Sequence, residues 1–299
     1  MKKLLMAVLC YSLAVVVILP LLVTLLLGGF SRELPQEARL LYGLGDLKTI
    51  NRELEDYVVG VVAAEMPASF PEEALKAQAV AARTYQLRQM RAANSKKILF
   101  DVGQAYCTEA EQKKKWGKAY ETYHRKIQEA VLATAGEIMV YEGEPILAAF
   151  HAQSAGKTED AANVWAASVP YLKSVDSSGD KEAPEYETKV IFSQKELSAR
   201  LGVKGREIAI RSHTPAGYVA EVQVGERVFQ GGELREALGL RSACFTVAQT
   251  AEGIVFTVYG YGHGAGMSQY GASALAKQGK EYHEILQHYY QGIHFAKLE

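Results

Sequence analysis

The stretch Leu54-Glu-Asp-Tyr-Val-Val-Gly-Val-Val-Ala-Ala-Glu65-Met-Pro67 decides how this chain is read. Leu54, Val58, Val61, Val62 and Glu65 recur at i, i+4, i+7, i+8 and i+11, one face of a helix. Pro67 ends that helix, because the residue before a proline is pushed out of the α region. Glu65 therefore falls in the last turn, on the apolar side. Burial raises a carboxyl pKa, and the negative end of the helix dipole raises it further. Both favour an acid that keeps its proton near neutral pH, as general acid catalysis requires. A buried glutamate serves equally well as the partner of a core Arg or Lys, and these residues alone leave the two readings level.

Working outward, Met1-Lys-Lys3 precedes an uncharged run from Leu4 to Leu27, close to the roughly 20 residues that cross a bilayer. The run is too long for a typical signal-peptide core and no small-residue cleavage site follows it, so a cleaved signal peptide ranks second, with the same outer location. Residues 1–30 read as a cytoplasmic tip and membrane anchor. Lys2 and Lys3 stay in the cytoplasm, so the remainder faces outward. Residues 31–48 read as a juxtamembrane linker and 49–299 as one large mixed domain. The whole chain carries 33 basic and 34 acidic residues, which does not favour a nucleic-acid partner. Cys107 and Cys244, the cysteines beyond the span, make no disulfide framework, and their spacing leaves pairing open.

The predicted fold class is α+β. Ser69-Phe-Pro-Glu72 fits a capping box opening a second helix to about Met90, with Lys76, Val80, Arg83 and Leu87 on one face. A third helix is expected from about Ala110 to Ala133, with Lys113 to Lys115 on its solvated side. Ile138–Tyr141 and Ile146–Phe150 read as a hairpin around Glu142-Gly143-Glu144, followed by a polar loop, His151-Ala-Gln-Ser-Ala-Gly-Lys-Thr158, of the kind that lines clefts. Residues 186–258 read as a β-rich inserted subdomain, with strands at 188–192, 207–211, 218–224 and 254–259 and helices at 194–201 and 232–238. Glycines 260, 262, 264 and 266 bring backbone close to something, and His263 among them reads as a cleft residue. Trp165 and Tyr171 fit sugar stacking or core packing equally. Two motif matches fail. Gly260-x-Gly262-x-x-Ala265 lacks the second strand of a dinucleotide fold. His283 and His288, at i and i+5, point about 140° apart on a helix, unlike a zinc-protease pair.

Taken together, the first stretch, Glu73-Ala-Leu-Lys-Ala-Gln-Ala-Val-Ala-Ala-Arg-Thr-Tyr85, Phe150-His-Ala-Gln-Ser-Ala-Gly-Lys-Thr158, Gly232-Glu-Leu-Arg-Glu-Ala-Leu-Gly-Leu-Arg-Ser242 and Gly262-His-Gly-Ala-Gly-Met-Ser-Gln-Tyr-Gly-Ala272 resemble the stage II sporulation protein D family. The resemblance implies a lytic transglycosylase acting on peptidoglycan strands stripped of stem peptides. It also implies work in engulfment during endospore formation, in the space between mother cell and forespore. The partners it implies are a membrane-bound amidase-endopeptidase and a multi-span scaffold. Residue by residue, Glu65 matches the catalytic acid. Lys76, Arg83, His151, Gln153 and Ser154 match cleft-lining positions, and His263, Ser268 and Gln269 lie in the closing motif. Some members carry a His and Cys cluster after the second helix. Phe100-Asp-Val-Gly-Gln-Ala-Tyr-Cys-Thr108 offers Cys107 alone, short of a four-ligand site, so no metal and no cofactor are expected.

A glycoside hydrolase normally needs two carboxylates, and one strong candidate is visible here. A lytic transglycosylase manages with one, because the muramic 6-hydroxyl attacks its own anomeric carbon. The competing reading is a non-catalytic glycan-binding enhancer of a partner amidase, and a third is a purely structural anchor.

Overall fold

The computed structural model describes residues 47–95, 97–100, 103–203 and 207–298. The anchor at 1–30 and nearly all of the linker at 31–48 lie outside them. Among the described residues no helix is long and apolar enough to cross a membrane.

The fold is mixed α+β. Helix α1 (Leu47–Glu65) ends where Pro67 requires, and α2 (Glu72–Ala92) follows after one turn. Pro71, not Ser69, is the N-cap of α2, and no side chain caps it, so the expected capping box is not formed. The third helix is two helices, α3 (Glu109–Trp116) and α4 (Tyr120–Ala133), broken at Gly117 by a 3₁₀ turn. Strand β1 (Glu137–Tyr141) turns through Glu142 and Gly143 into a short β2 (Glu144–Pro145). The hairpin is as expected, but its second strand stops there. The amides of Ala148 and Ala149 fold back on the carbonyls two residues earlier, so the chain kinks before β3 (Phe150–His151).

After the short helix α5 (Ala161–Trp165) the chain builds β4 (Glu187–Phe192), α6 (Gln194–Leu201), β5 (Ile208–His213), β6 (Val219–Val224), β7 (Arg227–Gln230), α7 (Gly231–Leu238), β8 (Phe245–Gln249) and β9 (Ile254–Tyr259). It returns as β10 (Met267–Ser268), α8 (Gln269–Lys277), α9 (Tyr282–Tyr289) and β11 (His294–Lys297). Among the described residues four small sheets result, in the orders β11-β1-β2, β10-β3, β4-β9-β8 and β5-β6-β7.

Two separate apolar clusters hold these parts. One gathers residues from 54–172 and 267–298, and the other lies within 192–258. The α1 stripe belongs to the first, with Leu54, Val58, Val61 and Val62 fully buried, each contributing about 1.5–3 kcal/mol of apolar burial. The C-terminal segment completes this core. β11 pairs antiparallel with β1, and β10 lies parallel to β3 with Ser268 opposite His151. The glycine-rich return approaches residues 149–155 closely. At Gly266, φ is +73° and a Cβ would meet the Ala149 carbonyl oxygen at 2.0 Å, so no other residue fits.

Candidate active site

Glu65 closes α1 half-buried beneath the loop that links α2 to α3. The Ala105 N–H donates to its Oε1 at 2.7 Å, and the Gln269 amide at the start of α8 donates to the same carboxylate. No ion pair reaches it among the described residues. Burial pushes its pKa up, and the two hydrogen bonds and the more distant Lys115 charge oppose that push without cancelling it. The loop is seated by Gly60, where the Tyr106 ring lies against the bare Cα, and by Cys107 N–H donating to the Gly60 carbonyl at 3.1 Å. Tyr57 stacks on Tyr106 with ring centroids 5.5 Å apart. Lys115 is exposed, as expected, and also donates to the Ala63 carbonyl at 2.9 Å.

The same loop opens onto a cavity of about 350 Å³ lined by Gly103, Gln104, Phe150, Trp165 and His263 among others. Trp165 and His263 also border a second cavity, of about 640 Å³, that crosses to Tyr218 and Arg235 of the β-rich part. Trp165 is 42% exposed and lies 5.1 Å from the His263 ring. It is the cleft aromatic. Tyr171 is core, its hydroxyl accepting from Leu147 N–H.

His263 donates from Nε2 to the Phe150 carbonyl at 3.0 Å and accepts at Nδ1 from Ala265 N–H at 3.1 Å. Burial lowers its pKa to about 4, with Arg235 lowering it further against the Phe150 hydrogen bond. His151, 5.5 Å away ring to ring, hydrogen-bonds the Ala265 carbonyl through Nδ1, and its Nε2 is buried without a partner. Its pKa falls to about 3, through burial first and His263 second. Both rings are neutral at pH 7 and act there as hydrogen-bonding groups.

The remaining expected residues are placed differently. Ser154 and Ser268 are fully buried and donate to Asp180, with Oγ–Oδ distances of 2.6 Å each. Ser177 adds a third hydroxyl at 2.8 Å. Burial raises the Asp180 pKa, and these donors oppose it. The cluster ties the 151–158 loop to α8. Gln153 is buried, its Nε2 donating to the Pro184 carbonyl at 2.8 Å. Arg83 is fully buried and forks onto both carboxylate oxygens of Glu55, at 2.8 and 2.5 Å, and onto the Glu137 carbonyl at 2.9 Å. The core arginine thus takes Glu55, and Glu65 is left without it. Lys76 pairs with Glu72 and Glu73 at 2.7 and 2.9 Å, which raise its pKa to about 12. Lys76 and Arg83 share a face of α2, about 160° and 140° around the helix from Gln78, which bonds Gln269 beside Glu65. The structure therefore joins Gln269 to Glu65 and His151 to His263, places His263 on both cavities, and leaves Lys76 and Arg83 in ion pairs of their own. His283 and His288 also have separate partners, Glu137 and the Asp176 carbonyl.

Two buried carboxylates, Asp180 and Glu159, and the half-buried Glu55 escaped the sequence reading. Asp180 and Glu55 are engaged as above. Glu159 is 3% exposed and accepts from Asp160 N–H, Asn163 and Thr214. Their donors lie up to 88 residues away in sequence, beyond the reach of any local pattern.

A family model described as "Stage II sporulation protein" matches residues 45–141, which span α1 to β1. Stage II sporulation protein D of Bacillus subtilis (strain 168) is 44% identical over 260 residues, covering 83% of this chain and 76% of that protein. Its counterpart from Bacillus amyloliquefaciens is 43% identical with the same coverage. The protein named "Amidase enhancer" of Bacillus subtilis (strain 168) is 29% identical over 294 residues, 78% of this chain and 39% of that protein. With this identity over most of both chains, the protein belongs to the stage II sporulation protein D family.

Proposed function

We propose that the protein is a lytic transglycosylase of peptidoglycan glycan strands, preferably strands stripped of stem peptides, with Glu65 as its single catalytic carboxyl. The observation that carries this reading is the state of Glu65. It is desolvated, its pKa is raised, and two neutral donors hold it under a loop whose Gly103 and Gln104 line an open cavity. Glu65 protonates the leaving glycosidic oxygen. The carboxylate left behind keeps the Ala105 and Gln269 donors and accepts the proton of the muramic 6-hydroxyl as that oxygen closes on the anomeric carbon. An attacking group within the same sugar has a high effective concentration and needs no activated water. Asp180, with four donors, and Glu55, forked by Arg83, are committed elsewhere, and Glu159, which lines the larger cavity, already accepts from Asp160 N–H, Asn163 and Thr214; this favours the one-carboxylate route over hydrolysis.

Trp165 offers a ring to stack on a sugar, and neutral His263, its two nitrogens held by Phe150 and Ala265, offers a ring edge to the same cavity. Family membership supports a role in sporulation. The N-terminal apolar run supports a single-pass anchor with this domain on the outer face, beside an amidase-endopeptidase and a multi-span scaffold. The test is incubation of the full-length protein with peptide-free glycan strands, with products read by mass spectrometry. Anhydro ends that disappear with Glu65→Gln are expected, and reducing ends would mean hydrolysis. The amidase-enhancer reading draws on one relative's name. It predicts strand binding and amidase stimulation that survive Glu65→Gln.

A further inference from the structure

One of the two donors to Glu65 is itself held by a residue with no other visible task. Gln78, on α2, is fully buried. Its Oε1 accepts from Gln269 Nε2 at 3.4 Å, while its own Nε2 is buried with no hydrogen-bond partner. Orphaned buried donors are uncommon in native proteins and call for a reason. The reason lies next door. An amide nitrogen carries two hydrogens, and Gln269 directs donors both to Gln78 and to the Glu65 carboxylate. If the Gln78 amide turned over, its NH₂ would face the NH₂ of Gln269, two donors with no acceptor between them. Gln269 would then turn as well and present its carbonyl oxygen to Glu65. The observed orientation leaves both N–H groups of Gln78 unmet and keeps a donor on the acid.

We propose that Gln78 is a positioning residue for Glu65: it fixes the Gln269 amide with its nitrogen toward the carboxylate and touches no substrate. This rests on reading Glu65 as the proton donor. A donor fixed there stabilises the carboxylate formed after proton transfer, restraining how far burial lifts Glu65 and readying it to accept a proton in return. The other groups around Glu65 do not supply this restraint in the same way. Lys115 of α3 acts at longer range. On the covering loop, burial pushes Tyr106 and Cys107 up, so both are neutral where Glu65 titrates. From α2 and α8 come the two amides.

The experiment uses full-length Gln78→Met, Gln78→Leu, Gln269→Leu and the Gln78→Met/Gln269→Leu double variant. Two pH profiles are read: cleavage of peptide-free strands, and carbodiimide modification of Glu65 followed by peptide mass spectrometry, which requires no turnover. Gln78→Met is expected to move the Glu65 midpoint up by about half a pH unit, roughly threefold in its protonation equilibrium. Gln269→Leu moves it at least as far, and the double variant no further than Gln269→Leu, because one route carries both effects. An unmoved midpoint, additive shifts, a lower rate at an unchanged midpoint, or loss of fold in both Gln78 variants overturns the proposal. If the labelling midpoint moves as expected and the unmodified protein yields no anhydro ends, the positioning role stands and the lytic reading falls.

Discussion

Helix α1 carries two half-buried glutamates, ten residues and about 15 Å apart, and they are treated in opposite ways. Glu55 meets the fork of Arg83 and the Gly136 N–H. That pairing joins α1, α2 and the start of β1 and leaves the carboxylate little capacity for anything else. Glu65 has one backbone N–H, one side-chain amide and a remote lysine. A full ion pair at this end would hold the carboxyl ionised and remove the acid. The incomplete neutralisation of Glu65 is thus a chemical asset, and the complete neutralisation of Glu55 is a structural one.

The contrast can be broken most forcefully at Glu65. Glu65→Gln keeps the shape and removes the transferable proton, so the cleavage rate is expected to fall about 10²–10⁴-fold, with the fold intact by circular dichroism. The next effect is on stability. Arg83→Met strands the Glu55 charge and is expected to cost about 3–5 kcal/mol in urea unfolding, without altering which ends the remaining folded protein makes.

The pH dependence of stability sharpens the comparison further. The folded pKa of Glu65 is raised above its ordinary value, so the folded state binds the proton more tightly. Its contribution is full below the unfolded pKa and is lost as pH rises through the folded pKa. Glu65→Gln should therefore match the unmodified protein in melting temperature in acid and exceed it above neutrality. The smallest effect belongs to Lys76. Its partners Glu72 and Glu73 lie in the exposed first turn of α2, where such pairs contribute about 0.2–1 kcal/mol. Lys76→Ala is expected to leave the cleavage rate within a few-fold; a loss like that of Glu65→Gln would mean that the lysine swings to the glycan.

Much of the α1 end was legible because its signals are local. The apolar stripe placed Glu65, Pro67 ended the helix, and glycines on both sides of His263 announced a close-packed backbone. What the residues left open was resolved by distance in the chain. Whether Glu65 had a cationic partner depended on which glutamate Arg83 would reach, 28 residues back. Ser154 and Ser268 looked like cleft hydroxyls because Asp180 gave no local sign of gathering both. Lys115 sits in a run of three lysines that reads as solvated and is exposed, and only its position at the end of α3 also turns it toward Ala63. Strand β11 is short and pairs with β1 from the far end of the chain, so no hairpin signal marked it.

The insertion of one apolar cluster within the other has a temporal consequence. The core that carries Glu65 opens with α1 and closes with β10, α8 and β11, more than 200 residues later in the chain. During synthesis, α1 emerges long before Gln269 exists to meet it. Contacts of such long range form slowly, and domains are completed only when their last segment arrives. A nascent or truncated chain ending before Gln269 carries the glutamate without its amide donor and without the glycine-rich wall of the cleft. Glu65 is among the first parts of this core to be made and its surroundings are the last to be finished.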